Sequence, residues 1–478
     1  MPAAAATAPH HERLSALDAA MVFMEAPNTH MHVGSVGIFE VGALGAGDGG
    51  VDIDRIRSHF AGVLDEVPRF RQRLEFTPIE KHPVWVDDAS FNLGYHVHHA
   101  RLPRPGTDRQ LKRLAGRLMS QKLDLAKPPW EMWVVEGLEG GRFAVVSKMH
   151  HCMVDGIAAV HALSALFSAD PTALDHLPSQ WAPRPAPGRV ALAAGELQRM
   201  ACAPLGLLRA AATACADPAR TAESFCHVAE GAVEVVQGKL RPASRTPLNP
   251  DAIGPHRRLD WVRFDLEAVI AVKRGLGAKL NDVVLALVTG ALRRYLLAHR
   301  VPVGDLDFRV VVPVNTRPIF GGGMEGNRVV PMLARLPLEI ADARGRVRHV
   351  AETMKALKAS RQVEATEVFE DLSNWANAAA LSAVVRRATR WWSGNMIVTN
   401  IPGPPFPLHL LGAPALECYP VIPLLANQAV SAAILSYAGG LHWGINSDWD
   451  AVPDLHALVE CLADELAALE AVTVVERA

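Results

Sequence analysis

Two α/β sandwiches of similar build, each a sheet with helices packed on it, are what this sequence predicts. Three observations lead there. The chain has 478 residues, more than one ordinary domain holds. Half of it is apolar, enough for a core in each of two units. Strand-like and helix-like apolar periodicities alternate in both halves, on either side of an Ala- and Pro-rich stretch, with no short-period repeat. The expected division is residues 1–182, an inter-domain connection over 183–250, and residues 251–478.

The elements follow in order. Ser15 with Asp18 reads as a cap opening LDAAMVFME as a short helix. MHVGSVGIFE (31–40) reads as a strand. Over 51–66, Ile53, Ile56, Phe60, Val63 and Leu64 recur at helical spacing. Thr107 and Gln110 could cap a helix with Leu111, Leu114, Leu118 and Met119 on one side; Arg109, Lys112, Arg113 and Arg117 lie mostly on the other. RFAVVSKM (142–149) reads as a strand and IAAVHALSALF (157–167) as a helix. APRPAPG (182–188) reads as linker, and 190–238 as helical, broken at Pro204 and Pro218. In the second half, LDWVRFDL is a strand, AVIAVKRGL and NDVVLALVTGALRRYLLAH (281–299) helices, DFRVVVPVN (307–315) and VVPMLARLPL strands, and 341–392 a long helical region. Residues 418–447 carry no Asp, Glu, Lys or Arg, but Pro420, Pro423, Asn427, Gln428 and paired glycines favour two buried strands over a membrane helix.

With a net charge of −2, nothing global argues for nucleic acid, and no nucleic-acid partner is expected. Six cysteines without a CxxC pair read as reduced thiols, placing the protein in the cytoplasm. The segment MPAAAATAPHHERL has no basic region followed by an apolar one, so it does not read as a signal peptide.

The chemistry concentrates at 142–160, RFAVVSKMHHCMVDGIAAV. A strand ends on His150 and His151, and Asp155-Gly156 follow before a helix. Histidine is suited to proton transfer near neutral pH, and a strand end holds the backbone while the side chain enters a cleft. Adjacent residues of an extended chain point to opposite sides, so one imidazole faces a cleft and the other packs. Asp155 could brace the loop or orient a ring; Gly156 permits a tight turn. A metal site would need further ligands, and His96, His98 and His99 (HVHH) are the nearest cluster; no metal is expected. VGSVG (33–37) misses the nucleophile-elbow pattern, there is no Walker A sequence, and GAGDGG (45–50) reads as a flexible loop. A base without a visible protein nucleophile suits direct acyl transfer.

These residues resemble a family. His150-His151-x-x-x-Asp155-Gly156 is similar to the active-site motif of coenzyme A-dependent acyltransferases related to chloramphenicol acetyltransferase. LSALDAAMVFMEAPNTHMHVG (14–34), PPWEMWVVEGL (128–138, with Pro129 where the family has leucine), NDVVLALVTGALRRYL (281–296), VVVPVNTR (310–317), GNRVVPMLARLP (326–337) and TNIPGP (399–404) resemble the bacterial wax ester synthase/diacylglycerol acyltransferases over nearly the whole chain. The resemblance implies two chloramphenicol acetyltransferase-like domains with a tunnel between them. It implies long-chain acyl transfer from acyl-CoA to a fatty alcohol or diacylglycerol, with His151 as general base, Asp155 structural, and no cofactor beyond the acyl-CoA co-substrate. Asn281 would stabilise the histidine or the oxyanion; its plainer reading is a helix N-cap. Trp130, Thr399 and Asn400 are candidate substrate-binding residues, with core packing and a turn as the plainer readings.

A related acyltransferase using a soluble or carrier-bound acceptor, a non-catalytic lipid-droplet protein and a metal hydrolase are the alternatives. The Arg109–Arg117 face is a candidate for the CoA phosphates, against a solvated surface. Water-insoluble products imply contact with the inner membrane or a lipid droplet, through 190–216 or RRATRWW (386–392).

Overall fold

The computed structural model describes residues 9–46, 50–153, 166–172, 181–216, 243–315, 329–359, 394–425 and 427–474. The strands, in chain order, are β1 (Glu12–Arg13), β2 (His32–Glu40), β3 (Gln72–Phe76), β4 (Pro83–Asp87), β5 (Val97–Arg101), β6 (Trp130–Leu138), β7 (Arg142–His150), β8 (Arg257–Asp265), β9 (Phe308–Asn315), β10 (Val329–Leu336), β11 (Met396–Pro402), β12 (His409–Leu410), β13 (Ala413–Val421), β14 (Val430–Tyr437) and β15 (Gly440–Asp448). The helices are α1 (Ala16–Met24), α2 (Ile53–Val63), α3 (Asp108–Met119), α4 (Arg189–Ala216), α5 (Leu266–Gly275), α6 (Leu280–Ala298), α7 (Ala343–Ala359) and α8 (Leu455–Val474).

Three sheets organise them. One six-stranded sheet runs β12-β13-β2-β7-β6-β5, the other β10-β9-β11-β14-β15-β8, and a small sheet pairs β1-β4-β3. Both halves are thus mixed α/β sandwiches, as the alternating periodicities predict. The caps form where the sequence places them. Ser15 accepts from the Asp18 amide at 3.1 Å, and Thr107 with Gln110 closes a reciprocal capping box on α3.

Three differences from expectation have physical causes. The first sheet is completed by β12 and β13, which come from the far half of the sequence: β13 pairs antiparallel with β2. Residues 418–447 therefore hold parts of three strands, not two. Secondly, α4 runs through Pro204. A proline deletes one hydrogen bond of a helix of 28 residues without ending it. Thirdly, α6 begins at Leu280, with Lys279 as its cap residue, so Asn281 is not the N-cap; the Asp282 carboxylate accepts from the Lys279 amide at 2.9 Å. The expected helix over 157–167 lies outside the described residues except for Leu166 and Phe167, which form a turn and a bend rather than helix; the region 360–392, including Trp391 and Trp392, also lies outside them.

The halves meet over an apolar cluster built from both. Val36 and Ile38 of β2, Leu111 and Leu118 of α3, Leu259 and Trp261 of β8, and Tyr419 of β13 share it. Gly116 lets α3 lie against β8: a Cβ there would stand 2.9 Å from the Arg257 carbonyl. Around it, the Arg257 amide donates to Ser120 Oγ at 2.8 Å and Lys112 pairs with Asp260 at 2.6 Å. The Arg257 guanidinium donates to the Asn28 carbonyl. The second core surrounds α6, where Val283–Val288 are all buried. No single described helix is long and apolar enough to cross a membrane.

Candidate active site

Strand β7 delivers the two histidines. It pairs with β2 along its full length, setting His150 opposite His32. Two backbone bonds then clamp the strand end. The His150 amide donates to the Pro129 carbonyl and the His151 amide to the Met31 carbonyl, each at 2.8 Å. The segment carrying Pro129 and Trp130 therefore contributes a carbonyl here, a contact that does not depend on the side chain at 129.

Burial separates the two rings. His150 is fully buried, whereas His151, opening a 3-10 turn over His151–Met153, is half-buried. The Nδ1 of His150 accepts from the Cys152 amide at 3.2 Å, so the neutral ring carries its proton on Nε2. That Nε2 lies 4.0 Å from Oε1 of Glu25, whose other oxygen lies 2.9 Å from Lys122 Nζ. Burial, then the neighbouring His151 and Lys122, lowers the His150 pKa to about 3. The Glu25 carboxyl is raised, by burial first, with Lys122 opposing. Cys152 is buried, and its thiol is pushed well above the ordinary range by burial and then by Asp18. Beside the two histidines, the thiolate is thus disfavoured as a nucleophile.

A second layer fixes this strand end to α3. Lys148, two residues before His150 and 1% exposed, donates to the carbonyls of Leu118 and Gln121 at 3.2 and 3.0 Å and pairs with Glu131 at 3.2 Å. His32 Nε2 meets the Met119 carbonyl at 3.0 Å. Two basic side chains of the β2–β7 ladder so satisfy carbonyls at the α3 C-terminus.

This geometry has counterparts. A family model described as the wax ester synthase/diacylglycerol acyltransferase catalytic domain matches residues 14–284. The C-terminal domain model of the same family matches 325–470. A chain described as a "probable diacylglycerol O-acyltransferase" of Mycobacterium tuberculosis is 33% identical over 466 residues, 96% of each chain. Another chain of that organism, whose description also ends in diacylglycerol O-acyltransferase, is 31% identical over 95% of this chain and 89% of its own. The chain belongs to the wax ester synthase/diacylglycerol acyltransferase family. It is an acyl-CoA-dependent O-acyltransferase. The solved wax ester synthase/diacylglycerol acyltransferase of Marinobacter aquaeolei has the same fold, with a TM-score of 0.69 at 23% identity over 97% of this chain and 99% of that one. The first condensation domain of the calcium-dependent antibiotic synthetase shares the fold at 16% identity and a TM-score of 0.58, over 97% of each chain. The two-domain, chloramphenicol acetyltransferase-like architecture expected from the sequence is the one the enzyme has.

The other candidates are distributed over both halves. Asp155 and Gly156 lie outside the described residues. Trp130 is 3% exposed, donates from Nε1 to the Phe70 carbonyl at 2.8 Å and stacks on His96 at 4.7 Å. Its place is in the packing, the plainer of its two readings. His96 and His98 are likewise engaged, His98 stacking on Trp133 at 4.3 Å. Asn281 sits half-buried in the first turn of α6. Thr399 and Asn400 are half-buried on β11, in ladder with Ala433 and Ile434. Strand β11 shares only Met396 and Ile397 with β9, so these residues lie past the point where those strands stop pairing. On α3, Lys112 turns to Asp260 and the Trp261 ring, which leaves Arg109, Arg113 and Arg117 exposed. Sequence reasoning passed over Glu25 and Lys122. The available signal was a lone carboxylate within the apolar run AMVFMEAP.

Proposed function

We propose that His151 is the general base for transfer of a long-chain acyl group to a fatty alcohol or diacylglycerol. The observation that carries this is the split at the strand end: His150 is sealed and neutral, so only the His151 ring has access for proton exchange. His151 takes the acceptor hydroxyl proton as the oxygen attacks the thioester carbonyl. The C–O bond forms, the C–S bond breaks, and the proton passes to the departing CoA thiolate. The products are a wax ester or triacylglycerol and free CoA. Asn281 is the candidate donor to the tetrahedral oxyanion, with Thr399 and Asn400 as candidate lining residues and Asp155 as a brace. Transfer from a thioester to a hydroxyl balances without a cofactor.

Thiol release from palmitoyl-CoA, measured in parallel with hexadecanol and with diacylglycerol, tests the assignment. His151→Ala should lose about 10²–10⁴-fold in turnover with both acceptors while keeping its melting temperature. Turnover equal to wild type removes the base. An acylated protein trapped during turnover contradicts direct transfer.

The hydrophobic product suggests a peripheral site on the inner membrane or a lipid droplet. Helix α4 supports it. Leu192 and Glu196 anchor one side, with Glu196 accepting from the Ile79 and Glu80 amides at 2.9 and 3.0 Å. Val190, Leu197 and Met200 are exposed, at 83, 57 and 48%. Flotation with phospholipid vesicles should carry the enzyme upward, and Leu197→Asp with Met200→Asp should leave it at the bottom. Wild-type enzyme that stays down refutes the association.

A further inference from the structure

A pocket of about 340 Å³ opens in the second half, away from the histidine strand. One wall is the turn Gly275–Ala278 between α5 and α6; the other is one side of α7, with Arg344, Arg348 and Lys355. Glu352 is the one carboxylate among the lining residues. Arg344 also donates to the Val472 carbonyl at 3.2 Å, which steadies its guanidinium. Arg348, Lys355 and Glu352 are exposed, and none of them forms an ion pair among the described residues. The turn lies within KRGLGAK (273–279), so three further cations flank it in sequence. Gly277 has φ +62, and a Cβ there would meet nothing within 4 Å, so main chain as well as charge is presented to the open side. Ala278 is three residues before Asn281 on the same continuous segment.

Two exposed cations without an ion pair among the described residues, Arg348 and Lys355, beside a concave, glycine-walled space suit a ligand with several phosphate groups. We propose that this pocket holds the phosphorylated nucleotide end of acyl-CoA, with Arg348 and Lys355 meeting its phosphates and Arg344 fixing the inner edge. The proposal rests on acyl-CoA as the donor substrate. It explains why the turn leading into the Asn281 helix is basic: the same segment holds the handle of the thioester and leads to a candidate reacting-centre residue. On the α3 face, by comparison, Lys112 is held by Asp260, while Arg109, Arg113 and Arg117 stay exposed.

The test compares two palmitoyl donors, palmitoyl-CoA and palmitoyl-N-acetylcysteamine, which has the thioester but no nucleotide. The readout is the ratio of their kcat/KM values with one acceptor. In Arg348→Glu, Lys355→Glu and the double variant, with Gln substitutions as gentler versions and melting temperature as the check on folding, this preference for palmitoyl-CoA should fall about tenfold or more, chiefly through KM. An unchanged ratio overturns the proposal. Flotation on phosphatidylglycerol vesicles is measured on the same proteins. An unchanged ratio with lost flotation assigns the cations to lipid headgroups and also overturns it. The base assignment fails separately: full turnover by His151→Ala would remove that base while a reduced ratio in the pocket variants would keep this site.

Discussion

Across one peptide bond, burial gives His150 and His151 different chemistry. The folded His150 ring stays neutral down to about 3, whereas an unfolded histidine takes a proton near 6.5. Folding therefore excludes a proton in this interval. The stability linked to His150 is complete above about 6.5 and is lost as the pH falls toward 3, with a slope of about 1.4 kcal/mol per pH unit. Burial likewise lowers His82 and His442, each to about 4, so their contributions have the same sign. Urea midpoints followed from neutral to acid pH should fall steeply, and His150→Asn should flatten the slope relative to wild type. An equal slope in the variant would show that His150 is protonated in the folded state. The pattern HHxxxDG pointed to this strand end from the sequence. Which ring is sealed was not legible, because it depends on β2 and α1 closing over one side only.

At the scale of the element, α3 joins the two halves. Its caps and its apolar spacing are local and were readable. Its role was not: the polar side that reads as solvated carries Lys112 into an ion pair with Asp260 under the Trp261 ring. At Gly116 the helix lies close against the strand backbone. Gly116→Val gains helix propensity relative to glycine but drives its side chain into the Arg257 backbone, which cannot turn aside as a side chain can. The net cost should be about 1–3 kcal/mol, seen as a lower melting temperature. A melting temperature equal to or above wild type would show that the two halves separate at no cost. On α6, the inward carboxylate of Asp282 rather than Asn281 serves the cap, which leaves the Asn281 amide outside that role.

For the whole molecule, the decisive feature is the exchange of β12 and β13 into the first sheet. A chain ending at residue 250 would lack both strands and leave β2 as an open edge, a template for aggregation. We expect that fragment to be insoluble alone and to become soluble when residues 251–478 are co-expressed. A soluble, cooperatively melting fragment would contradict this. In the second half, Glu465 is sealed between Arg346 and Arg294. Removing it as Glu465→Ala would leave Arg346 buried without its partner, at a cost of about 3–5 kcal/mol in a denaturant titration.

By itself, the sequence determined the local chemistry: the caps at Ser15 and Thr107, the strand ending on His150 and His151, the apolar helix over 281–299, and motifs enough to place the chain in its family. These depend on neighbours along the chain, so spacing reveals them. Tertiary structure alone decided the rest. It chose which histidine keeps contact with solvent, brought Glu25 and Lys122 behind the other, turned Lys112 toward Asp260, and carried β13 across to β2. Each of these is set by a partner far away in sequence, and desolvation and close packing act only once that partner has arrived.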